Sequence, residues 1–196
     1  MAKNIKFLLI IFFLISTDVI AFEKNAEEFV RDTTKQAKSI ILKKNISDLE
    51  KKIQLEELAL NVVDVDGLAK YSLGEELKKL SNEQIKEFVS LFRIFFSKNI
   101  SSKLRDYSDQ EVLVSGSKKI SDNYVLVNSK IISIKDKQEI FVDWRVFLIN
   151  NKLIIRDLVV EGLSLARTQR EEFLSIVANK GFDGLIKSLK NYISKN

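Results

Sequence analysis

Residues 156–173, RDLVVEGLSLARTQREEF, gather side chains suited to chemistry. Asp157 and Glu161 stand among Val159, Val160 and Leu163, and Arg167 and Arg170 follow. Burial disfavours a charged carboxylate, which is how a small α+β enzyme acting on an apolar substrate would activate Asp157 as its base. A base also needs a second acid or an electrophile. Glu161 is four residues away, and the sequence has no His and no Cys. That excludes Ser–His and Cys–His catalysis and zinc chemistry, because the commonest general base and metal ligand is missing. The other reading is structural: Asp157 accepts hydrogen bonds from the Trp144 indole N–H, from Ser or Thr hydroxyls, or from loop N–H groups. Arg167 and Arg170 either bind phosphate as a pair or face water beside Glu171 and Glu172.

The elements that position these residues follow from a change of period. From Asn25 to Tyr107 apolar residues recur at helical spacing. Phe29, Thr33, Ala37, Ile40 and Ile41 form one stripe, Leu49, Ile53 and Leu58 a second, and Ile85, Phe88, Val89, Phe92, Phe95, Phe96 and Ile100 a wider aromatic third. Capping boxes at Asn25–Glu28, Ser47–Glu50, Ser81–Gln84 and Thr168–Glu171 mark helix starts, each first side chain accepting from a first-turn N–H while the later one reaches back. A short helix opens at Asp66 and ends at Gly74. From Asp109 to Gly162 the period is two, giving four strands near 110–118, 123–134, 138–149 and 152–160. Helical spacing then returns through Phe173, Ile176 and Val177, with Gly181 ending one helix before a last one. The expected class is α+β, an antiparallel four-stranded meander packed against several helices.

Register follows from the turns. Asn tolerates positive φ, so Asn150-Asn151 suits a two-residue hairpin. That places Trp144 opposite Asp157, Val142 opposite Val159 and Val146 opposite Ile155. A second two-residue turn at Asp136-Lys137 sets Trp144 opposite Ser129, Val127 opposite Val146 and Ile131 opposite Val142. The other face then pairs Lys130 with Asp143 and Asn128 with Arg145, which favours the ladder, but also sets Arg145 against Arg156. The apolar face is Val, Ile and Trp with Ser129 and Ser133 leaving space. Opposite the Phe-rich helix stripe, it makes either a solid core or an apolar ligand cavity.

Lys3 and Lys6 precede the apolar run FLLIIFFLI, residues 7–15, and a polar stretch ending Val19-Ile20-Ala21. A basic start, a short apolar run and a small residue at the end describe a cleaved signal peptide, and the run is too short to span a membrane. Residues 1–21 are therefore expected to be the leader and 22–196 one exported domain. The net charge of +5 is mild and spread along the chain, which gives no electrostatic footprint for nucleic acid.

Several blocks in order carry a family resemblance. Leu73-Gly74 is followed by Leu80-Ser81-Asn82-Glu83-Gln84 and Phe88-Val89-Ser90-Leu91-Phe92. Then come Val142-Asp143-Trp144-Arg145, Asp157 to Ser164, Phe173, and Gly181-Phe182-Asp183-Gly184-Leu185. From about Asp64 to Leu189 the chain resembles the MlaC family, also called the toluene-tolerance or Ttg auxiliary family, of periplasmic phospholipid-binding proteins. It departs from the pattern at Glu75-Glu76-Leu77, at Leu163 and at Asn150-Asn151.

The resemblance implies a soluble periplasmic lipid shuttle without catalysis or cofactor. It would enclose acyl chains between sheet and helices, with the headgroup near solvent. Its partners would be an outer-membrane lipoprotein–porin complex and an inner-membrane ABC transporter complex, and it would act as a monomer. The helix stripe and the register nominate Phe88, Phe92, Phe95, Val127, Ile131, Val142, Trp144, Val146, Val159, Phe173 and Val177 as the lipid contacts.

Overall fold

The computed structural model describes residues 17–104 and 109–195; the basic start and apolar run of the expected leader lie outside them. Helices α1 (Thr17–Ile41), α2 (Asp48–Val62), α3 (Val65–Leu73) and α4 (Asn82–Leu104) precede strands β1 (Gln110–Ser121), β2 (Tyr124–Ser133), β3 (Glu139–Ile149), β4 (Lys152–Val160) and β5 (Leu163–Ser164). Helix α5 (Leu165–Lys195) closes the chain and bends at Gly181, where φ is 70°. The sheet is one antiparallel meander in the order β1-β2-β3-β4-β5. The α+β class holds, but the sheet has five strands rather than four. The extra strand is two residues long, made as the chain folds back at Glu161-Gly162, both at positive φ, to pair Val160 with Leu163.

Two capping boxes form as expected. Ser47 and Glu50 satisfy each other's backbone N–H at the start of α2, and Ser81 and Gln84 do so at the start of α4. The other two do not. Asn25 sits inside α1, which begins upstream. Thr168 lies inside α5 and donates its hydroxyl to the Ser164 carbonyl. The cap of α3 is Asp64, two residues before the expected Asp66, and it accepts from the Gly67 N–H at 3.0 Å. In α2 the buried residues are Leu55 and Ala59, whereas Leu49 and Ile53 of the expected stripe are exposed.

Two apolar cores result. Val65, Ala69 and Leu73 of α3, Phe88 and Phe92 of α4, and Phe173, Leu185, Ile186 and Leu189 of α5 form a helical core. On the inner face of the sheet, Val125, Val127, Val142, Trp144, Val146 and Ile155 pack against Ala26 and Val30 of α1. The α2–α3 junction joins the two. Val63 makes a parallel bridge with Ile155, Asp64 N–H donates to the Ile155 carbonyl at 2.9 Å, and Arg156 Nε donates to Asp64 at 2.7 Å.

Candidate functional site

Register decides which side chains share the inner face. The Asn150-Asn151 turn forms with both residues at positive φ, and Val146 pairs with Ile155 as expected. A bulge then shifts the ladder by one. Arg145 pairs with Asp157, Trp144 with Leu158, and Val142 with Val160. The expected clash of Arg145 with Arg156 is thereby removed, since one extra residue in a strand re-aims the side chains beyond it. The same bulge turns Val159 to the pleat of Asp143, its actual partner, while Leu158 and Val160 pack on the inner-face core. Between β2 and β3 the connection is longer than two residues, so the ladder slides by two. Val127 pairs with Trp144, Ser129 with Val142 and Ile131 with Ile140. An even slide keeps every residue on its expected face. Asn128 therefore meets Asp143, donating to it at 2.8 Å, and Lys130 pairs with Glu139 at 2.7 Å.

Asp157 is 6% exposed. One carboxylate oxygen accepts from the Ala166 N–H at 2.9 Å. The other accepts from the Ser164 hydroxyl at 2.6 Å and lies 3.4 Å from Arg145 Nη1. Ser164 itself accepts from the Arg167 N–H at 3.0 Å. Asp157 and Ser164 thus cap α5 together, and both carboxylate oxygens are engaged in holding the strand–helix junction. Trp144 donates elsewhere, to the Ser129 hydroxyl at 2.8 Å, and Ser129 donates to the Val142 carbonyl at 3.0 Å. The small central Ser129 therefore satisfies the indole of the inner face. Glu161 accepts from the Phe141 N–H at 2.6 Å and closes the turn.

The two arginines take different partners. Arg167 pairs with Glu171 at 2.9 Å, which holds the guanidinium pKa above its usual value. Arg170 lies over the Tyr71 ring at 5.0 Å. A Cβ on Gly74, at φ 53°, would come within 3.0 Å of the Arg170 guanidinium, so glycine admits both the turn and the stacked arginine. Among the described residues no group of three His, Cys, Asp or Glu is placed to hold a metal.

Ten of the eleven nominated contacts fall into the two cores. Phe88, Phe92, Phe95, Phe173 and Val177 belong to the helical core, where Phe92 and Phe173 each meet the rings of Phe88 and Phe95, and each other, at 5.7–6.0 Å between centroids. Val127, Ile131, Val142, Trp144 and Val146 belong to the inner sheet face. Val159 belongs to neither. Two grooves open at the margins of α1, one of about 380 Å³ between α1 and α2 and one of about 540 Å³ where α1 meets the hairpin ends of the sheet. None of the eleven residues lines either.

Helix α1 covers the inner sheet face, which its apolar stripe alone did not reveal. Its apolar residues Phe22, Ala26, Phe29 and Val30 roof the inner face. Its polar residues engage β1: Glu23 accepts from the Lys119 N–H, Glu27 from the Ser117 hydroxyl, and Arg31 donates to the Val114 carbonyl. The signal was present, because 23, 27 and 31 recur every four residues and so lie along one helix face. An edge strand leaves backbone groups unpaired, and here the helix supplies partners for them.

Comparison with known proteins agrees with this architecture. The model of the MlaC protein family matches residues 30–191. The intermembrane phospholipid transport system binding protein MlaC of Haemophilus influenzae is 24% identical over 126 residues, covering 63% of this chain. The match spans 59% of that relative's length. A phospholipid-binding protein from Ralstonia solanacearum, solved in complex with a phospholipid, superposes with a TM-score of 0.73 at 18% identity, over 87% of this chain and 97% of that one. With the family model matched across most of its length, from within α1 to within α5, the chain belongs to the MlaC family.

Proposed function

We propose that this protein is a periplasmic phospholipid carrier, without catalytic activity or cofactor, that shuttles lipid between outer- and inner-membrane complexes and so maintains outer-membrane lipid asymmetry. The observation that carries the reading is the family match over residues 30–191. The fold shared with a chain solved around a phospholipid supports it. No described helix is long and apolar enough to cross a membrane. Phe22, Ala26, Phe29 and Val30 of α1, which pack on the inner-face core, would all be kept by a leader cut after Ala21.

The physical case for a carrier is the cost of release. Each buried CH₂ contributes about 0.8 kcal/mol, so one long acyl chain contributes on the order of 10 kcal/mol. Escape into water is then slow, and handover takes place at a partner's apolar surface. Those partners are an outer-membrane lipoprotein–porin complex and an inner-membrane ABC transporter complex, met by a monomer.

In this reading the acyl chains lie between α1 and the inner sheet face, against Val127, Ile131, Val142, Trp144 and Val146. They extend toward Phe88, Phe92, Phe95, Phe173 and Val177. Val159, on the opposite pleat of β4, is dropped from the set in favour of Leu158 and Val160. Trp144 is the sole tryptophan, and it lies within this surface. Loading the protein with a phospholipid carrying brominated acyl chains is expected to quench its fluorescence several-fold relative to the unbrominated lipid. Full loading with unquenched emission would remove the inner face from the binding surface.

A further inference from the structure

The α1–α2 hairpin ends in a surface that neither core takes in. Leu42 follows the last turn of α1, and Leu49 and Ile53 stand one turn apart at the start of α2. They are 52%, 66% and 46% exposed, so this end presents three large aliphatic side chains to water. The same end is basic. Residues 38–53 hold Lys38, Lys43, Lys44, Lys51 and Lys52 against two carboxylates, Asp48 and Glu50. Both carboxylates are engaged locally. Asp48 lies 3.6 Å from Lys51, and Glu50 accepts from the Ser47 N–H at 2.7 Å and the Ser47 hydroxyl at 2.8 Å. Glu56 and Glu57 follow only further along α2, with Glu56 accepting from the Ser101 hydroxyl of α4. The connection between the helices is tied down: Ser47 caps α2, and Lys43 reaches across to Gln54 Oε1 at 2.6 Å. Along α1 this tip is about 30 Å from Phe22, so a leader cut there leaves it untouched.

We propose that this tip is a docking surface for an anionic bilayer: Leu42, Leu49 and Ile53 enter the headgroup layer while the lysines meet lipid phosphates. Charge complementarity names the occupant. A net charge of three at one end of the hairpin matches a surface of negative lipids, and each unit of that charge is worth about fivefold in affinity there. Composition separates a bilayer from a protein partner. Protein interfaces are enriched in Tyr, Trp and Arg and depleted in Lys. Residues 38–53 contain none of the first three and five lysines. Lysine beside exposed leucine and isoleucine is instead the make-up of a surface that lies on lipid. Three aliphatic side chains give a shallow hold, so docking is reversible.

Docking and lipid carriage are read separately. Protein purified after export is titrated with sucrose-loaded vesicles of phosphatidylcholine, with or without phosphatidylglycerol, and sedimented. The wild type is expected to bind the vesicles containing phosphatidylglycerol about a hundredfold more tightly than the neutral ones, and to lose that preference in high salt. Replacing two lysines together, Lys38→Gln with Lys44→Gln, should weaken binding to the anionic vesicles about 25-fold. Leu49→Ser with Ile53→Ser should weaken it about tenfold while keeping the preference for anionic lipid. All four positions lie at the surface or half-buried, so the melting temperature should hold. Lys180 and Lys187 are exposed on α5, and changing both to Gln removes the same charge elsewhere; binding should stay within about twofold of wild type. Wild-type protein that ignores anionic vesicles, or an equal loss in the α5 variant, would overturn the docking surface. Protein that docks yet holds no lipid would keep the docking surface and overturn the carrier reading.

Discussion

Phe92→Ala is expected to lower the unfolding free energy by about 3–5 kcal/mol, as large aromatic truncations in packed cores do. Phe92 is 3% exposed and stands at the centre of the helical core. Its ring meets Phe88 at 5.9 Å, Phe95 at 6.0 Å, Phe96 at 6.3 Å and Phe173, edge to face, at 6.0 Å. These residues come from α4 and α5, so the truncation cannot be repaired by one helix shifting alone. Phe92→Leu keeps most of the volume and should cost closer to 1–2 kcal/mol. Urea unfolding followed by circular dichroism measures both. The outcome also bears on where lipid sits. A cost below about 1 kcal/mol, with more lipid bound, would mark the helical core as a chamber that already yields to a ligand. A large cost with lipid loading unchanged would mark it as a solid scaffold beside the binding surface.

Asp157→Ala should destabilise the protein by about 2–4 kcal/mol, because it strands two partly buried donors as well as removing their bonds to a charged acceptor. The Ala166 N–H and the Ser164 hydroxyl lose their acceptor. The first turn of α5 then depends on Ser164 alone, through its bond from the Arg167 N–H. Arg145 is 45% exposed at its side chain and can turn to water, so its loss of a partner adds little. Asp157→Asn keeps one acceptor oxygen and should recover roughly half of the lost stability. Thermal unfolding of the three proteins gives the comparison. A general base would behave differently, losing a rate while keeping its melting temperature. Wild-type stability in Asp157→Ala would therefore contradict the anchor role.

These two residues also show what was legible in the sequence. The Phe88, Phe92, Phe95 stripe is visible because an i, i+4, i+7 repeat admits one helical face. The inner faces of β2 and β3 are visible because Val125, Val127 and Ser129, and Val142, Trp144 and Val146, alternate cleanly. A register error of two between those strands left the faces right, since the side-chain period is two. The bulge in β4 was hidden for the opposite reason. The strand reads Leu153, Ile154, Ile155, then Leu158, Val159, Val160, apolar on both sides of Arg156-Asp157, so no alternation records the change of parity. The cap of α5 was hidden because Ser164 is followed three residues later by Arg167 rather than Glu or Gln, while Thr168–Glu171 offered a matching pair that the helix does not use. Asp157 was ambiguous for as long as its partners were unknown, and Ser164, Ala166 and Arg145 resolve it.

The central claim is that this protein holds phospholipid, and native mass spectrometry of the protein purified after export tests it most directly. The expected species is a chain beginning at Phe22 and carrying co-purified phospholipid, released as intact lipid on activation. Protein that arrives without lipid, and stays without it after incubation with phospholipid vesicles, would contradict the account.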